Sequence, residues 1–419
     1  VTATDPTTQP STAPCPENPD TRQAEPTPTR GRAATFAVVS AALVLVFVSS
    51  GTPIPLYNIY RTEDGIDSAA LAITTVTYLS VTALSLLLLG RLSNHLGRKP
   101  VAIGALLASA AGCLLLTQVD SLPVLLSGRA LQGIACGIAA SSIGSYVVDV
   151  APRRPAWLGP LVVTAAPTFG IPLGALVSGI LIVHAPAPRT FGYVLIAGIL
   201  VVVAILLLFA PETVTRTPGA LRALRPRVQL PTGTDRLAVI AVVVAVFLAT
   251  WSYSGMYQAF APSLTADHLG TSSPIVIALV FSSIVILSPV GGSISGRLTP
   301  KAAIRAGLLP FLVAVIVAVA ALYAGSIVAF LGASLAASLA LGAATTGAMR
   351  LLLTGAAPKM RAGLLSSVYL VSYAGAALPG LVAGAFATSV DLTDIAAGYA
   401  VLVLVATAIA IIASRRLER

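Results

Sequence analysis

Charged side chains are scarce in this sequence. Asp, Glu, Lys and Arg together make up 10% of its 419 residues, whereas a soluble globular domain carries about a quarter. So few charges cannot form a water-facing skin around a chain of this length, which excludes an ordinary soluble protein. Cysteine is nearly absent as well. Cys15, Cys113 and Cys136 are odd in number and have neither zinc-ligand nor disulfide-framework spacing. The latter two fall in apolar stretches and read as small buried side chains. Histidine is equally sparse: His95, His184 and His268 sit near the ends of apolar stretches and form no nucleophilic or metal-binding cluster. An enzyme is therefore not expected, and no metal or organic cofactor is implied. The last shortage is positional. No Asp or Glu lies deep inside any apolar stretch, and Asp149 comes nearest.

What remains is apolar, at 56% of residues. The hydrocarbon core of a bilayer is about 30 Å thick and is crossed by about 20 apolar residues in a helix. Twelve stretches of that kind follow one another, at 34–60, 69–90, 100–119, 121–149, 156–183, 190–210, 236–262, 272–296, 302–323, 326–353, 361–387 and 395–414. Lipid offers backbone groups no water, so each must be a helix or a strand of a closed barrel. Barrel strands alternate polar and apolar residues over about ten positions. The run Ala197 to Ala210 is apolar throughout apart from one Gly, which fits a helix. The expected fold is all-α and polytopic, with membrane lipid as its main surroundings and a monomeric state. Residues 1–33, rich in Pro and Thr, lack the apolar content to offset ordering entropy and read as a disordered tail. The stretch 211–235, rich in Pro and Arg, reads as a linker between six-helix bundles at 34–210 and 236–414, and 415–419 as a short C-terminal tail.

The net charge of +10 would suggest nucleic acid in a soluble protein. Here its distribution explains it. With both termini inside, the inner segments hold Arg91, Arg98, Lys99, Arg153, Arg154, Arg216, Arg222, Arg225, Arg227, Arg236, Arg297, Lys301, Arg305, Lys359, Arg361, Arg415, Arg416 and Arg419, and the outer loops hold only Arg61 and Arg189. This is the positive-inside asymmetry of a multi-pass cell-membrane protein with cytoplasmic termini, and no nucleic-acid partner is needed. The outer loops carry acids instead: Glu63, Asp64, Asp67, Asp120, Asp267, Asp391 and Asp394.

An internal repeat is visible. Gly90-Arg91-Leu92 recurs as Gly296-Arg297-Leu298, and Ala151-Pro152 with basic Arg153 recurs as Ala357-Pro358 with basic Lys359, both at an offset of 206 residues. Two matches at one offset in equivalent loops point to duplication of a six-helix unit, the arrangement that places a central cavity between two bundles.

The segment from Gly90 to Pro100, Gly-Arg-Leu-Ser-Asn-His-Leu-Gly-Arg-Lys-Pro, resembles the loop signature of the major facilitator superfamily, Gly-x-Leu-x-Asp-x-x-Gly-Arg-Lys/Arg. Gly90, Gly97, Arg98 and Lys99 match; Asn94 stands where the family has Asp. The resemblance implies a twelve-helix transporter of two pseudo-symmetric bundles. It also implies a gating role for this loop, beside its plain role in setting topology; without a charge at Asn94 any ion pair there is weaker. Arg129-Ala130-Leu131-Gln132-Gly133 resembles a second signature, Arg-x-x-Gln-Gly, which implies a part for Arg129 in proton coupling and for Gln132 in the cavity. The alternative for Arg129 is a side chain snorkelling to the outer surface. The segment from Ala166 to Gly174 resembles the family's antiporter signature, Gly-x-x-x-Gly-Pro-x-x-Gly-Gly, through Gly170, Pro172 and Gly174, with Pro172 displaced by one and Ala175 in place of the last Gly. Pro379-Gly380 is its counterpart in the eleventh span, and the pairs Gly133/Gly137, Gly292/Gly296 and Gly380/Gly384 show the spacing of ordinary small-residue packing. Pro211-Glu212-Thr213 resembles a common family ending without the Ser-Pro-Arg of sugar carriers.

By the same resemblance, the first, fourth, seventh and tenth spans line the cavity. Candidates there are Tyr57 and Asn58, after a Pro53/Pro55 bend, and Trp251, Tyr253, Tyr257 and Gln258. Trp251 and Gln258 share a helical face, and Tyr253 and Tyr257 are one turn apart. Aromatic walls with few polar groups suit a small apolar or amphipathic substrate; interfacial anchoring of the same aromatics is the alternative. The expected function is export of drug-like or small metabolite substrates by proton antiport, with nutrient uptake by symport or a non-transporting receptor or scaffold as alternatives. The driving force would be a proton gradient or the membrane potential, with Asp149 the available carboxylate nearest the membrane core.

Overall fold

The computed structural model describes residues 29–152, 154–155, 157–218, 236–354 and 358–416. Most of the tail with Cys15, the greater part of the 211–235 linker, Arg153 and Ala357 lie outside the described residues. All twelve spans are helices, and among the described residues there is no strand. In chain order they are α1 (Gly31–Glu63), α2 (Ser68–Leu89), α3 (Arg98–Leu116), α4 (Leu122–Val150), α5 (Leu158–His184), α6 (Phe191–Leu208), α7 (Arg236–Asp267), α8 (Pro274–Ser295), α9 (Pro300–Tyr323), α10 (Ile327–Leu353), α11 (Ser367–Phe386) and α12 (Leu392–Arg416). The first helix starts earlier than its apolar stretch. Its leading turns run from Thr29, and Arg32 reaches the Ala151 carbonyl at the end of α4 (3.2 Å), so the last residues of the expected tail are helical.

Three helices are interrupted. In α1 the regular helix ends at Gly51, passes through a tight turn at Ile54–Leu56 and resumes at Tyr57. Pro53 and Pro55 cause this, because neither has an N–H to continue the ladder. In α4 the segment Ala139–Ile143 widens into a π-turn, and α8 breaks between Ser283 and Ser288, just before Pro289. Some helix starts carry a side-chain cap: Asp67 accepts from the Ala70 N–H (2.7 Å), and Thr299 from that of Ala302 (3.3 Å).

Two apolar clusters form. One is built chiefly from α1–α4 and α6, the other from α7–α10 and α12; Trp251 and Ile171 pack against both. The first six and last six helices meet along α2 with α11 and along α5 with α8. Large apolar side chains that remain exposed, such as Val202, Ile205, Val313, Val401 and Ile412, form the lipid-facing exterior. Lipid is as apolar as leucine, so helix association rests on van der Waals closeness, and small residues make it possible. Gly170 and Gly174 of α5 lie against Phe47 and the Val48 backbone of α1; Gly133 and Gly137 lie against α2; Gly342 lies against the Ser288 backbone. Between the two sets, Gly179 lies against the Pro274 carbonyl and Ala278, and Gly384 against Ala72.

A side chain at Gly174 would collide with the backbone of α1. Gly174→Val is expected to destabilise the protein by about 1–3 kcal/mol, read as a lowered melting temperature in detergent. Gly198, which has nothing within 4 Å of an added Cβ, should accept the same change with no loss.

Candidate functional site

The interruption of α1 leaves backbone carbonyls of Ser49 and Ser50 facing α4. Pro53 cannot donate to the Ser49 carbonyl four residues earlier, and the Ser50 carbonyl falls in the last turn before the helix ends at Gly51. Two side chains of α4, one turn apart, occupy these oxygens: Gln132 Nε2 donates to Ser49 O (2.8 Å) and Arg129 Nη1 to Ser50 O (2.7 Å). Arg129 Nη1 also donates to Gln132 Oε1 (2.8 Å), which ties the pair together. The guanidinium carbon lies 4.1 Å from the centre of the Tyr78 ring, so α2 supplies a cation–π face. Arg129 is 0% exposed, and its Nε and Nη2 groups have no hydrogen-bond partner. It does not snorkel.

The other expected cavity residues divide. Tyr57 is buried close to this cluster, near Thr75 of α2. Trp251 stands edge-on to Tyr373 of α11 at 5.1 Å, where the two apolar clusters meet. Gln258 presents its backbone carbonyl to Thr75 of α2 (3.5 Å). Tyr253 and Tyr257 turn into the core of the last six helices. Tyr253 packs on Phe311 of α9, and Tyr257 stacks on Phe330 of α10 and hydrogen-bonds Ser334 (2.5 Å). Their one-turn spacing on α7 serves packing within that core. Asn58 Oδ1 accepts from Arg61 Nη2 (3.2 Å) and so positions a cation.

That cation matters at the end of the bundle where the acidic loops gather. Arg61 at the end of α1 forms a two-pronged ion pair with Asp267 at the end of α7; the Nη2–Oδ1 distance is 2.6 Å. These residues are 206 apart, the same offset as Gly90 and Gly296, so equivalent positions of the repeat clasp each other. Ser68 and Ser263 meet beside them (3.1 Å). Close by, Arg189 donates to Glu63 (2.9 Å), Asp64 (2.5 Å) and the Val119 carbonyl (2.8 Å), and the hydrogen bond it gives to Asp64 raises its pKa further. Asp391 accepts from the Thr393 hydroxyl and N–H, which hold its carboxyl below the usual carboxylate range.

At the opposite, basic end, Gly97 turns with φ 101°, a conformation that favours glycine. This turn aims the first N–H groups of α3 at Glu212: Oε1 accepts from Arg98 N (2.8 Å) and Oε2 from Lys99 N (3.1 Å). A carboxylate at a helix N-terminus satisfies open donors and the positive end of the dipole. Arg98 pairs with Asp149 (3.1 Å) and bonds Ser93 (2.7 Å), while Lys99 Nζ caps the end of α6 at the Leu208 and Ala210 carbonyls (both 3.0 Å). Asn94 contributes its backbone carbonyl, which accepts from Thr217 (3.3 Å). Glu212 thus brings the negative charge that Asn94 lacks. Asp149 belongs to this network, 20 residues from Arg129 on the same helix, which is about 30 Å along the axis. Gly90 lies beside Ser141 of α4. In the second repeat, Arg297 is exposed, and Arg350 of α10 donates to the carbonyls of Ser295, Gly296 and Leu298 (2.9–3.4 Å). Pro379 lies inside α11, and Gly380 packs near Val76 of α2. Arg350 and the Arg61–Asp267 pair were not singled out in the sequence, and Glu212 stood there only as part of the Pro211-Glu212-Thr213 ending. The repeat offset between Arg61 and Asp267 was the available signal.

An exposed ion pair of this kind contributes about 1 kcal/mol or less. Asp267→Asn should therefore lower the closed-to-open ratio at the acidic end by roughly two- to fivefold, read as a broadened spin-label distance between α1 and α7. Combining Arg61→Asp with Asp267→Arg should restore the wild-type distribution. An unchanged distribution in Asp267→Asn would show that the pair does not hold these two helix ends together.

The model of the Major Facilitator Superfamily matches residues 39–381. Over 121 residues the chain is 34% identical to the multidrug resistance protein MdtL of Salmonella schwarzengrund, a match that covers 28% of this chain and 29% of that protein. Over 104 residues it is 36% identical to the protein of the same name from Klebsiella pneumoniae, covering 24% and 26%. The matched segment spans less than a third of either relative. Among solved structures, a bacterial homologue of the human lysosomal transporter Spinster, in its inward-facing and occupied conformation, superposes with a TM-score of 0.72 at 13% identity, covering 93% of this chain and 98% of that one. The nucleoside transporter NupG superposes with a TM-score of 0.70 at 12% identity, covering 90% and 99%. Twelve membrane-length helices, this architecture and a family match across most of the length lead to one conclusion: the chain belongs to the Major Facilitator Superfamily.

Proposed function

We propose that this transporter exports small, largely apolar or amphipathic compounds from the cell by alternating access, coupled to proton entry. The observation that carries the reading is the Arg129–Gln132 pair, a charged and fully buried group at the α1–α4 contact in a span core without acids. Charges inside membrane spans are expensive and mark transport pathways. Trp251 and Tyr373 supply an aromatic wall where the two bundles meet, and the partial likeness to MdtL supports a drug-like cargo. The basic loops face the cytoplasm in this reading, by the positive-inside rule. The Arg61–Asp267 clasp then closes the outer mouth, and Gly97, Arg98, Lys99 and Glu212 hold the inner ends of α3 and α6 as the bundles rock. Gly170, Pro172 and Gly174 keep α5 tight on α1 through that motion, and Pro379 and Gly380 do the same for α11 on α2.

Cells overexpressing the protein should accumulate less of some members of a panel of fluorescent amphipathic compounds. Arg129→Ala should return accumulation to the vector level at unchanged membrane abundance. Proteoliposomes should show flux that rises with an imposed pH gradient. Raised accumulation in cells would overturn export, and flux indifferent to the gradient would overturn proton coupling.

A further inference from the structure

The guanidinium of Arg129 presents an unused binding edge. Its Nη1 is committed to Ser50 and Gln132, and one face lies on Tyr78. Nε and Nη2 have no partner. These two N–H groups share one side of the planar group and point the same way, forming the two-donor fork that matches both oxygens of a carboxylate. Arginine stays charged in proteins, and a buried charge without a counter-charge and with open donors is among the most unfavourable arrangements a protein can hold.

Among the described residues no side chain is placed to relieve it. The sequence has no acid in the core of any span. The acids at the span ends are engaged elsewhere: Asp267 with Arg61, Glu63 and Asp64 with Arg189, and Asp149 with Arg98. We infer that the missing counter-charge arrives with the cargo. Arg129 binds the carboxylate of an organic anion through Nε and Nη2, and the aromatic pair Trp251 and Tyr373 receives its apolar body. The inference deepens the export reading and rests on it by naming the substrate class, apolar monocarboxylates. The fork is closed to solvent in this conformation, so binding accompanies movement of α1 or α2 away from α4.

The test uses the purified full-length protein in detergent and measures thermal stabilisation by sodium benzoate and sodium naphthoate against their methyl esters at matched ionic strength. A carboxylate should bind about tenfold or more tightly than its ester, the worth of a charge-assisted hydrogen bond. Arg129→Gln should abolish the preference, and Arg129→Lys, which keeps the charge and loses the fork, should retain only part of it. The inference is overturned if neither carboxylate stabilises the wild-type protein more than its ester, or if the preference survives in Arg129→Gln. The wild-type comparison stands on its own should the Gln variant fail to fold. Export of neutral compounds without any carboxylate preference would sink this inference and leave the export reading intact. Carboxylate binding without flux in proteoliposomes would do the reverse.

Discussion

Lipid supplies no hydrogen bonds, so any backbone group released inside the membrane must find a partner within the protein. Much of the site follows from that one constraint at a single place. Two prolines open α1 about two thirds of the way along it, and the carbonyls of Ser49 and Ser50 fall to Gln132 and Arg129 of α4. A structural repair therefore brings a permanent positive charge into a region without acids. The break also lets Tyr57 begin a new helical segment beside it. The irregular backbone, the buried cation and the contact between α1 and α4 are one feature.

Around that centre, the ion pairs Arg61–Asp267, Arg189–Glu63, Arg189–Asp64 and Arg98–Asp149 lie at the two ends, where water reduces their desolvation penalty. They do different work. At the basic end, Glu212, Asp149, Arg98 and Lys99 tie together α3, α4 and α6 within the first six helices. At the acidic end, Arg61 and Asp267 join the first six helices to the last six. A network within a bundle stiffens it as a body, whereas a pair between bundles biases their relative position. Each exposed pair is weak enough to be broken during a transport cycle.

The spans were legible because their signal is a long run of one kind of residue, and none of the twelve was misplaced by more than several positions. The pairs Gly133/Gly137 and Gly380/Gly384 were legible as packing sites for the same reason of local pattern, whereas Gly296 is exposed and only Gly292 of its pair meets α10. The partners of individual side chains were not. Tyr253 and Tyr257 are correctly placed on α7, but which side of that helix meets α9 and α10 depends on packing, and Phe311 and Phe330 claim both rings. Asn94 looked like a lost charge, yet Glu212 supplies one from more than a hundred residues away.

The sequence alone determined that this is a helical membrane protein of repeated design with its cations gathered in alternate loops, because hydropathy and loop charge are sums over neighbouring residues. It also placed an arginine and a glutamine in the core of the fourth span. Only the tertiary structure decided what those residues meet. It showed that Arg129 lies fully buried with one edge unpaired, that Asp149 is engaged far from it, and that Arg61 reaches Asp267 across the repeat. Those outcomes depend on distances between segments remote in sequence, and helix crossing and rotation set such distances; the order of residues along one helix does not.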